Sequence, residues 1–277
     1  MIQSILTYAH LIMSDIHIPV IITSKYHLLA SNYANIFNLF FDRRIIHTFP
    51  AVLSEKRNEK RTNLENLYEF AVSINRGQGV LILSDADMKQ TITNYFFPKT
   101  KVLSYNVQFH SFILVKEILK LSVKKNASII SIIPNLLISQ NDEMKILKDN
   151  QLKSYTLRSA DKNLLFASKL TSGINTFTTN ELFFRALKAI AKKLDIELNN
   201  SLILEFLFHA NCILFQKKYD FDFSKNVMDH MDIEYAVLEV IQEKIQELSS
   251  PDFHVAAFTM RDYQILYEAV FHSALQG

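Results

Sequence analysis

Two short polar segments with titratable side chains stand directly after apolar runs. Lys25, Tyr26 and His27 follow the run IPVIITS, and Asp85 follows the run VLILS. In open α/β sheets, ligands and reacting groups gather beyond the carboxyl ends of the strands, where the strand order reverses. An ammonium or imidazole beside a carboxylate at such an edge suits either a structural ion pair or chemistry on the imidazole. These four residues are therefore the first candidate site.

A second candidate site lies in the C-terminal half, around His209. On a helical wheel, the apolar residues nearby form one stripe, made of Ile203, Phe206, Leu207, Ala210, Ile213 and Leu214. His209 falls on the flank of that stripe with Glu205 and Gln216, in a position that allows partial exposure. Such a histidine is either an accessible imidazole or a boundary histidine hydrogen-bonded to a neighbouring helix. His272 is a further candidate, in the last amphipathic segment.

Composition excludes several kinds of site. The chain has 4 glycines, and their positions permit neither a glycine-rich phosphate loop nor a dinucleotide-binding turn. It has 1 cysteine, which rules out disulfide frameworks and multi-cysteine metal sites. Asp87 has no second carboxylate or histidine at a metal-ligand spacing. We therefore predict no cofactor and no metal.

The first half of the chain must supply the elements that position the first site. Short apolar runs at residues 18–23, 45–49, 80–83 and 101–104 alternate with helical patterns at residues 28–41, 64–74, 89–97 and 109–123. Strand and helix alternate about every 25 residues, which indicates βαβ units. We predict a doubly wound, mostly parallel α/β sheet, assigned to residues 1–125.

The second half reads differently. From Thr178 onward, amphipathic helical patterns with polar caps cover residues 178–194, 199–219, 229–248 and 259–275. Short connections between long helices predict an antiparallel bundle over residues 178–277. Residues 126–177 read as a linker or a poorly formed subdomain, with a candidate edge strand at residues 128–133. The predicted fold class is therefore α/β followed by all-α.

Three segments of the sequence resemble parts of known bacterial regulators. The segments IITSKYHLLAS and NRGQGVLILSD resemble the enzyme IIA domain of the mannose-family sugar phosphotransferase system (PTS). The segment LILEFLFHANCILFQ resembles the PTS regulation domain. The two domain types occur in this order in sigma-54-dependent activators of the levanase and mannose operon type. The likeness covers roughly residues 18–125 and 178–275.

The resemblance implies roles for both candidate sites. The family's enzyme IIA has a phosphoacceptor histidine after its first strand, then a glycine, with an aspartate after the third strand that orients the imidazole. Asp85 matches the aspartate, whereas Lys25 and Tyr26 stand at the histidine and glycine positions. Lysine is protonated at neutral pH and accepts phosphoryl groups poorly, so we expect a degenerate site with a Lys25–Asp85 ion pair. His27 is either a displaced acceptor or an ordinary loop histidine.

In the helical segment, His209 matches the histidine that is phosphorylated in PTS regulation domains. His272 is a candidate for the second histidine of that domain. The family often has an arginine where this chain has Gln216, so a natural cationic partner for a phosphate is missing.

The sequence therefore favours a PTS-controlled transcription-regulatory protein over an enzyme. The expected control is histidine phosphorylation, or docking of a PTS phosphocarrier or enzyme IIB protein, in a homodimer. Two alternatives stay open: an active mannose-family enzyme IIA phosphotransferase, and a non-switching interaction fragment of a longer activator.

Location and other partners follow from what the chain contains. The family's helix-turn-helix and ATPase modules are missing from these residues, so we predict no direct DNA binding. No uncharged run reaches the roughly 20 apolar residues that span a bilayer. No basic residue precedes Lys25 to start a signal peptide. We expect a cytoplasmic protein without membrane insertion.

Overall fold

The structure, a computed structural model, describes residues 17–41, 44–51, 57–109, 118, 127–134, 176–218, 234–248 and 258–274. The strands are β1 (Val20–Ser24), β2 (Ile46–Pro50), β3 (Val80–Ser84) and β4 (Ser104–Gln108). The helices between the strands are α1 (His27–Phe41), α2 (Arg57–Ile74) and α3 (Ala86–Phe96). The later helices are α4 (Thr176–Leu194), α5 (Asn200–Lys218), α6 (Tyr235–Gln246) and α7 (Met260–Ala274). None of the helices within these ranges is both long and apolar enough to cross a bilayer.

The four strands form one parallel sheet in the order β2-β1-β3-β4. Val20 of β1 pairs with Ile46 on one side and with Leu81 on the other. The chain thus builds outward from β1 to β2 and then crosses back to β3, so the strand order reverses between β1 and β3. The predicted α/β fold with a parallel sheet is confirmed. The edge beyond Ser24 and Ser84 is the point of reversal where such sheets place their sites.

Strands β1 and β3 are buried along their whole length because their side chains are apolar on both faces. One face, with Ile21, Val80 and Ile82, belongs to a core formed with α2 and α3. The helices contribute side chains at helical spacing, namely Leu64, Leu67, Tyr68 and Ala71 from α2 and Met88, Ile92 and Phe96 from α3. This core fixes the carboxyl ends of the central strands.

Two strand predictions need correction. Residues 129–134 are helical, not an edge strand. The hydroxyl of Ser128 accepts a hydrogen bond from the Ser131 N–H, and the Ser131 hydroxyl accepts one from the Ser128 N–H, which closes the first turn of a helix. The fourth strand runs over Ser104–Gln108, whereas the prediction placed it at residues 101–104. Its residues are mostly polar and half-buried, so the more apolar stretch before it was misleading.

Some predictions lie outside the described residues. These are most of the helix at residues 109–123, the linker beyond residue 134, and residues 229–233 at the start of the third helix of the bundle. The domain limits at residues 125 and 177 remain predictions.

The chain divides into two compact units. The first contains the four strands with α2 and α3, and the second contains α4 to α7. Residues Leu28–Phe40 of α1 belong to the second unit, although they follow β1 directly in the chain. The helical unit is therefore assembled from segments far apart in sequence.

Two helices of the second unit begin with the caps that their sequences suggest. The Asn199 side-chain oxygen accepts a hydrogen bond from the Leu202 N–H at the start of α5, at 2.8 Å. At the start of α7, the Asp262 carboxylate accepts bonds from the N–H and the hydroxyl of Thr259, at 2.6 and 2.8 Å. Lys217, near the end of α5, lies 2.7 Å from the same carboxylate. These contacts fix the start of α7 beside the end of α5.

The turn before β3 contains Gly77 and Gly79, and it requires glycine more strictly at position 79 than at position 77. Asn75 accepts hydrogen bonds from the N–H groups of Gly77 and Gly79, and both glycines have φ near +90°. A Cβ on Gly77 would meet nothing within 4 Å. A Cβ on Gly79 would lie 2.5 Å from Ile129 Cγ1 and 2.8 Å from the Leu103 carbonyl oxygen.

We expect Gly79→Ala to destabilise the protein more than Gly77→Ala. The Gly77 variant carries only the backbone cost of a positive φ, about 1–2 kcal/mol. The Gly79 variant adds overpacking against a backbone oxygen, about 1–3 kcal/mol more. Urea unfolding of the two variants measures the difference. Equal losses of unfolding free energy would contradict the close packing at Gly79.

His47 on β2 is half-buried, and its ring stands edge-on to Phe70 with centroids 5.7 Å apart. Burial is the main cause that lowers the pKa of His47 from 6.5 to about 4, and the charges of Arg44 and His17 lower it further. The folded protein therefore holds this imidazole neutral under mildly acidic conditions.

This pKa predicts that acid weakens the fold through His47. Between pH 6.5 and about 4, the unfolded chain binds a proton at this residue and the folded chain does not. The free energy of unfolding should therefore fall as the pH drops through this window, and less steeply in His47→Gln. Urea unfolding at a series of pH values measures both slopes. A difference between the two proteins that does not change with pH would contradict the prediction.

Candidate functional site

At the edge where the strand order reverses, Asp85 is the central residue, and it is only 5% exposed. One carboxylate oxygen accepts a hydrogen bond from the Ser24 hydroxyl at 2.8 Å, and the other accepts one from the Lys25 N–H at 2.8 Å. The Ser24 oxygen in turn accepts the Tyr26 N–H at 3.0 Å. Asp85 therefore holds the loop between β1 and α1 through that loop's own donors.

Asp85 occupies the N-cap position of α3, where an aspartate normally accepts hydrogen bonds from its own helix. Its side chain makes no such bond, and only its backbone carbonyl accepts the N–H groups of Met88 and Lys89. The carboxylate reaches across to the neighbouring strand instead. The side chain therefore serves the loop after β1 rather than its own helix.

The other three residues of the predicted enzyme IIA-like site, Lys25, Tyr26 and His27, lie in this loop or directly after it. Their side chains do not meet at one point. The Lys25 side chain is exposed, and its ammonium lies 5.3 Å from the centroid of the Tyr26 ring. Lys25 meets Asp85 through its backbone N–H, whereas the sequence predicts a contact through the ammonium. His27 is half-buried and begins α1. The loop is thus held by backbone hydrogen bonds, with its cation turned toward an aromatic ring.

The helical unit contains a second, more concentrated group. The Nε2 atom of His209 lies 3.6 Å from Glu205 Oε1, and the Nδ1 atom of His272 lies 3.8 Å from the same oxygen. All three side chains are buried. We call Glu205, His209 and His272 the histidine cluster. The structure thus places the two candidate phosphoacceptor histidines near the same carboxylate oxygen.

The expectation that His209 is partly exposed is wrong, since its relative exposure is 0%. Every residue of α5 from Ser201 to Leu214 is buried, so this helix has no solvent face over that stretch. The sequence does indicate this burial, because Glu205 is the only formally charged residue between Ser201 and Gln216. A helix that is apolar on all sides lies inside its domain.

Burial and the neighbouring histidines act in opposite directions on the pKa of the Glu205 carboxyl. Burial is the largest influence and would by itself raise the pKa of Glu205. Interaction with His209 and the charge of His272 outweigh it and hold the pKa below the ordinary value of 4.5. A buried carboxylate without a counter-charge costs several kcal/mol. The cluster is therefore a coupled group in which the state of either imidazole changes the energy of the carboxylate.

The other side of the His209 ring contacts Asn32, a buried residue of α1. The Asn32 amide nitrogen lies 2.7 Å from His209 Nδ1. The Gln216 amide nitrogen donates to the Asn32 oxygen at 2.8 Å, which fixes the orientation of the Asn32 amide. An amide nitrogen only donates, so Nδ1 accepts and the proton of neutral His209 lies on Nε2. The ring thus presents its proton toward Glu205 and its lone pair toward Asn32.

Sequence reasoning missed Asn32 and also Glu268. Glu268 stands four residues before His272 on α7 and accepts the Leu29 N–H of α1 at 2.6 Å. Leu29 is in the first turn of α1, where backbone N–H groups lack partners within the helix. Both missed contacts link residues more than 170 positions apart. No local pattern in the sequence could reveal them.

Metal binding gains no support from the described residues, which contain no group of three or more histidine, cysteine, aspartate or glutamate side chains arranged to hold a metal ion.

The chain was also compared with known proteins. No family model, curated protein or solved structure matches it.

We expect Asp85→Asn to lower the free energy of unfolding by about 1.5–3 kcal/mol, because its carboxylate accepts charge-assisted hydrogen bonds. An asparagine offers one acceptor oxygen and would turn its amide hydrogens toward the second donor. Asp87→Asn is the matched control, since Asp87 is exposed two residues further along. The control should change stability by no more than about 0.5 kcal/mol. Equal effects in urea unfolding would show that Asp85 does not hold the loop.

Proposed function

We propose that this chain is a PTS-controlled regulatory protein whose switch is phosphorylation of His209. The observation that carries the proposal is the histidine cluster, in which Glu205 lies 3.6 Å from His209 and 3.8 Å from His272. The resemblance of the segment around His209 to PTS regulation domains supports the same residue. The finer architecture belongs to this proposal, namely a doubly wound enzyme IIA-like domain followed by an antiparallel PTS regulation bundle.

The geometry suits histidine phosphorylation for a chemical reason. The lone pair on Nδ1 would attack the phosphorus of a donor phosphohistidine, forming one N–P bond as the donor's N–P bond breaks. Positive charge would develop on the His209 ring during this attack. Glu205 faces the opposite nitrogen and would stabilise that charge, or accept the Nε2 proton. Asn32 defines the tautomer in which Nδ1 carries the lone pair.

Phosphorylation would change the packing of the helices. A phosphoryl group brings about −1.5 to −2 charges. Those charges would stand in a buried region, across the imidazole ring from the Glu205 carboxyl group. Repulsion between like charges at short distance favours an arrangement in which the helices no longer enclose the group. The regulator would thus have two packings, selected by the state of His209.

The other candidate site supports regulation rather than transfer. Lys25 stands at the position where the resemblance requires an acceptor histidine. Both oxygens of Asp85 accept bonds from Ser24 and Lys25, so the carboxylate is committed to the loop. We therefore propose that this edge has kept its scaffold role and lost phosphotransfer.

The proposal names its partners by chemistry. The donor in this step is a PTS phosphocarrier or an enzyme IIB protein that carries its phosphoryl group on a histidine. Such donors are cytoplasmic, so the proposal places the protein in the cytoplasm. A homodimer is part of the proposal, because it gives the two packings an interface to change.

The test is phosphorylation by the general PTS enzymes with labelled phosphoenolpyruvate. We compare the intact protein with His209→Ala, His272→Ala and His27→Ala. We expect acid-labile label on the intact protein and on His27→Ala, and none on His209→Ala. His272→Ala should retain label at a lower rate, because Glu205 loses one of its two imidazoles.

Other results would point to other functions. Label lost only in His27→Ala would make the protein an unorthodox enzyme IIA transferase. Label lost only in His272→Ala would move the switch to the other side of Glu205. An intact protein that takes up no label would leave a binding module whose histidines are structural.

A further inference from the structure

Helix α1 covers the nitrogen of His209 that would react. The Asn32 amide lies 2.7 Å from Nδ1. The Tyr33 ring meets the His209 ring edge-on, with centroids 4.7 Å apart, and it stacks on Phe208 at 5.3 Å. These contacts exclude solvent from one side of the imidazole. A phosphoryl donor cannot reach Nδ1 while α1 holds this position.

The cover is held in place by residues of the helices that it covers. Gln216 of α5 orients the Asn32 amide. Glu268 of α7 accepts the Leu29 N–H at 2.6 Å, which places a carboxylate at the N-terminus of α1. Negative charge at that end of a helix is favourable, because the helix dipole is positive there. The first turns of α1 are therefore fixed by polar groups on two helices.

We propose that α1 is a displaceable cover over the histidine cluster and that its position controls access to His209. This inference rests on the proposed function for its regulatory meaning, since the reacting nitrogen is the one that Asn32 contacts. With α1 in place the cluster is sealed and His209 Nδ1 is an acceptor for Asn32. With α1 displaced, Nδ1 is free to react.

Phosphorylation itself would keep the cover open. A phosphorylated Nδ1 has no lone pair for the Asn32 amide, so the contact that closes the cover is lost. The added negative charge would lie near Glu205 of α5. Closing α1 over that charge would bury it in a region of low dielectric. The closed position of α1 is thus compatible only with unmodified His209, and phosphorylated His209 requires the open position.

Chemical modification tests the cover without any phosphoryl donor. Diethylpyrocarbonate acylates unprotonated imidazoles, and peptide mass spectrometry gives a rate for each histidine. In the intact protein we expect His209 to react far more slowly than the half-buried His27. Asn32→Ala should raise the rate at His209 by about tenfold or more, because it removes the contacts with both His209 and Gln216 and so shifts the opening equilibrium.

The matched control is Asn35→Ala, which makes the same change one turn along α1 at a half-buried position. It should change the His209 rate by less than about twofold. Circular dichroism and the rate at His47 report whether each variant remains folded. If Asn32→Ala unfolds, Gln216→Ala provides the second variant, since it frees the Asn32 amide and leaves Asn32 itself in place. A several-fold rise at His209 alone is then expected.

Two results would overturn the cover. One is a His209 in the intact protein that reacts as fast as His27. The other is a folded Asn32→Ala or Gln216→Ala protein with an unchanged His209 rate.

These results are separable from those on function. Slow His209 acylation that Asn32→Ala accelerates, together with no uptake of label, would keep the cover and reject phosphorylation control. Uptake of label on His209, together with an acylation rate at His209 that Asn32→Ala does not change, would keep phosphorylation control and reject the cover.

Discussion

A fully buried carboxyl group is costly to charge unless nearby groups offset the charge, and Glu205 has this position inside the helical unit. Its side chain is fully buried, and two imidazoles from α5 and α7 stand within 4 Å of one oxygen. The cost of an uncompensated buried charge is several kcal/mol, a large part of the net stability of a domain. The spacing of α5 and α7 is therefore tied to the state of the two histidines.

Asp85 and Glu205 are both buried, but the groups around them differ chemically. Asp85 is satisfied by a hydroxyl and a backbone N–H, which do not titrate near neutral pH. Glu205 lies within 4 Å of two imidazole nitrogens, and an imidazole can be chemically modified. One carboxylate therefore fixes a loop, and the other belongs to a group whose charge can change. This contrast is the main reason to place the switch in the helices.

Amide side chains transmit the state of the cluster to α1. Asn32 stands between Gln216 and His209, with one amide atom engaged by each. A flip of the Asn32 amide would exchange its NH₂ group and its oxygen. The contact between the Asn32 NH₂ group and His209 Nδ1 therefore requires the tautomer in which Nδ1 carries the lone pair. The position of α1 and the state of His209 Nδ1 therefore meet at this one contact.

The sequence by itself determined the elements of both units. The β-branched runs at β1 and β3, the helical patterns of α2 and α5, and the caps at Asn199 and Thr259 follow from local chemistry, which the neighbouring residues alone decide. It also marked Asp85, His209 and His272 as the residues to examine. Where local signals were weak, as at residues 129–134 and at the polar strand β4, the prediction was wrong.

Only the tertiary structure decided which residues meet. The partnership of Asn32 with His209 and of Leu29 with Glu268 joins positions 177 and 239 residues apart. Contacts of that kind depend on which helix faces which, and helix periodicity specifies a buried face without naming its neighbour. For the same reason His209 changed from a boundary residue on a helical wheel to a fully buried one. The wheel describes one helix, whereas burial depends on all the helices that surround it.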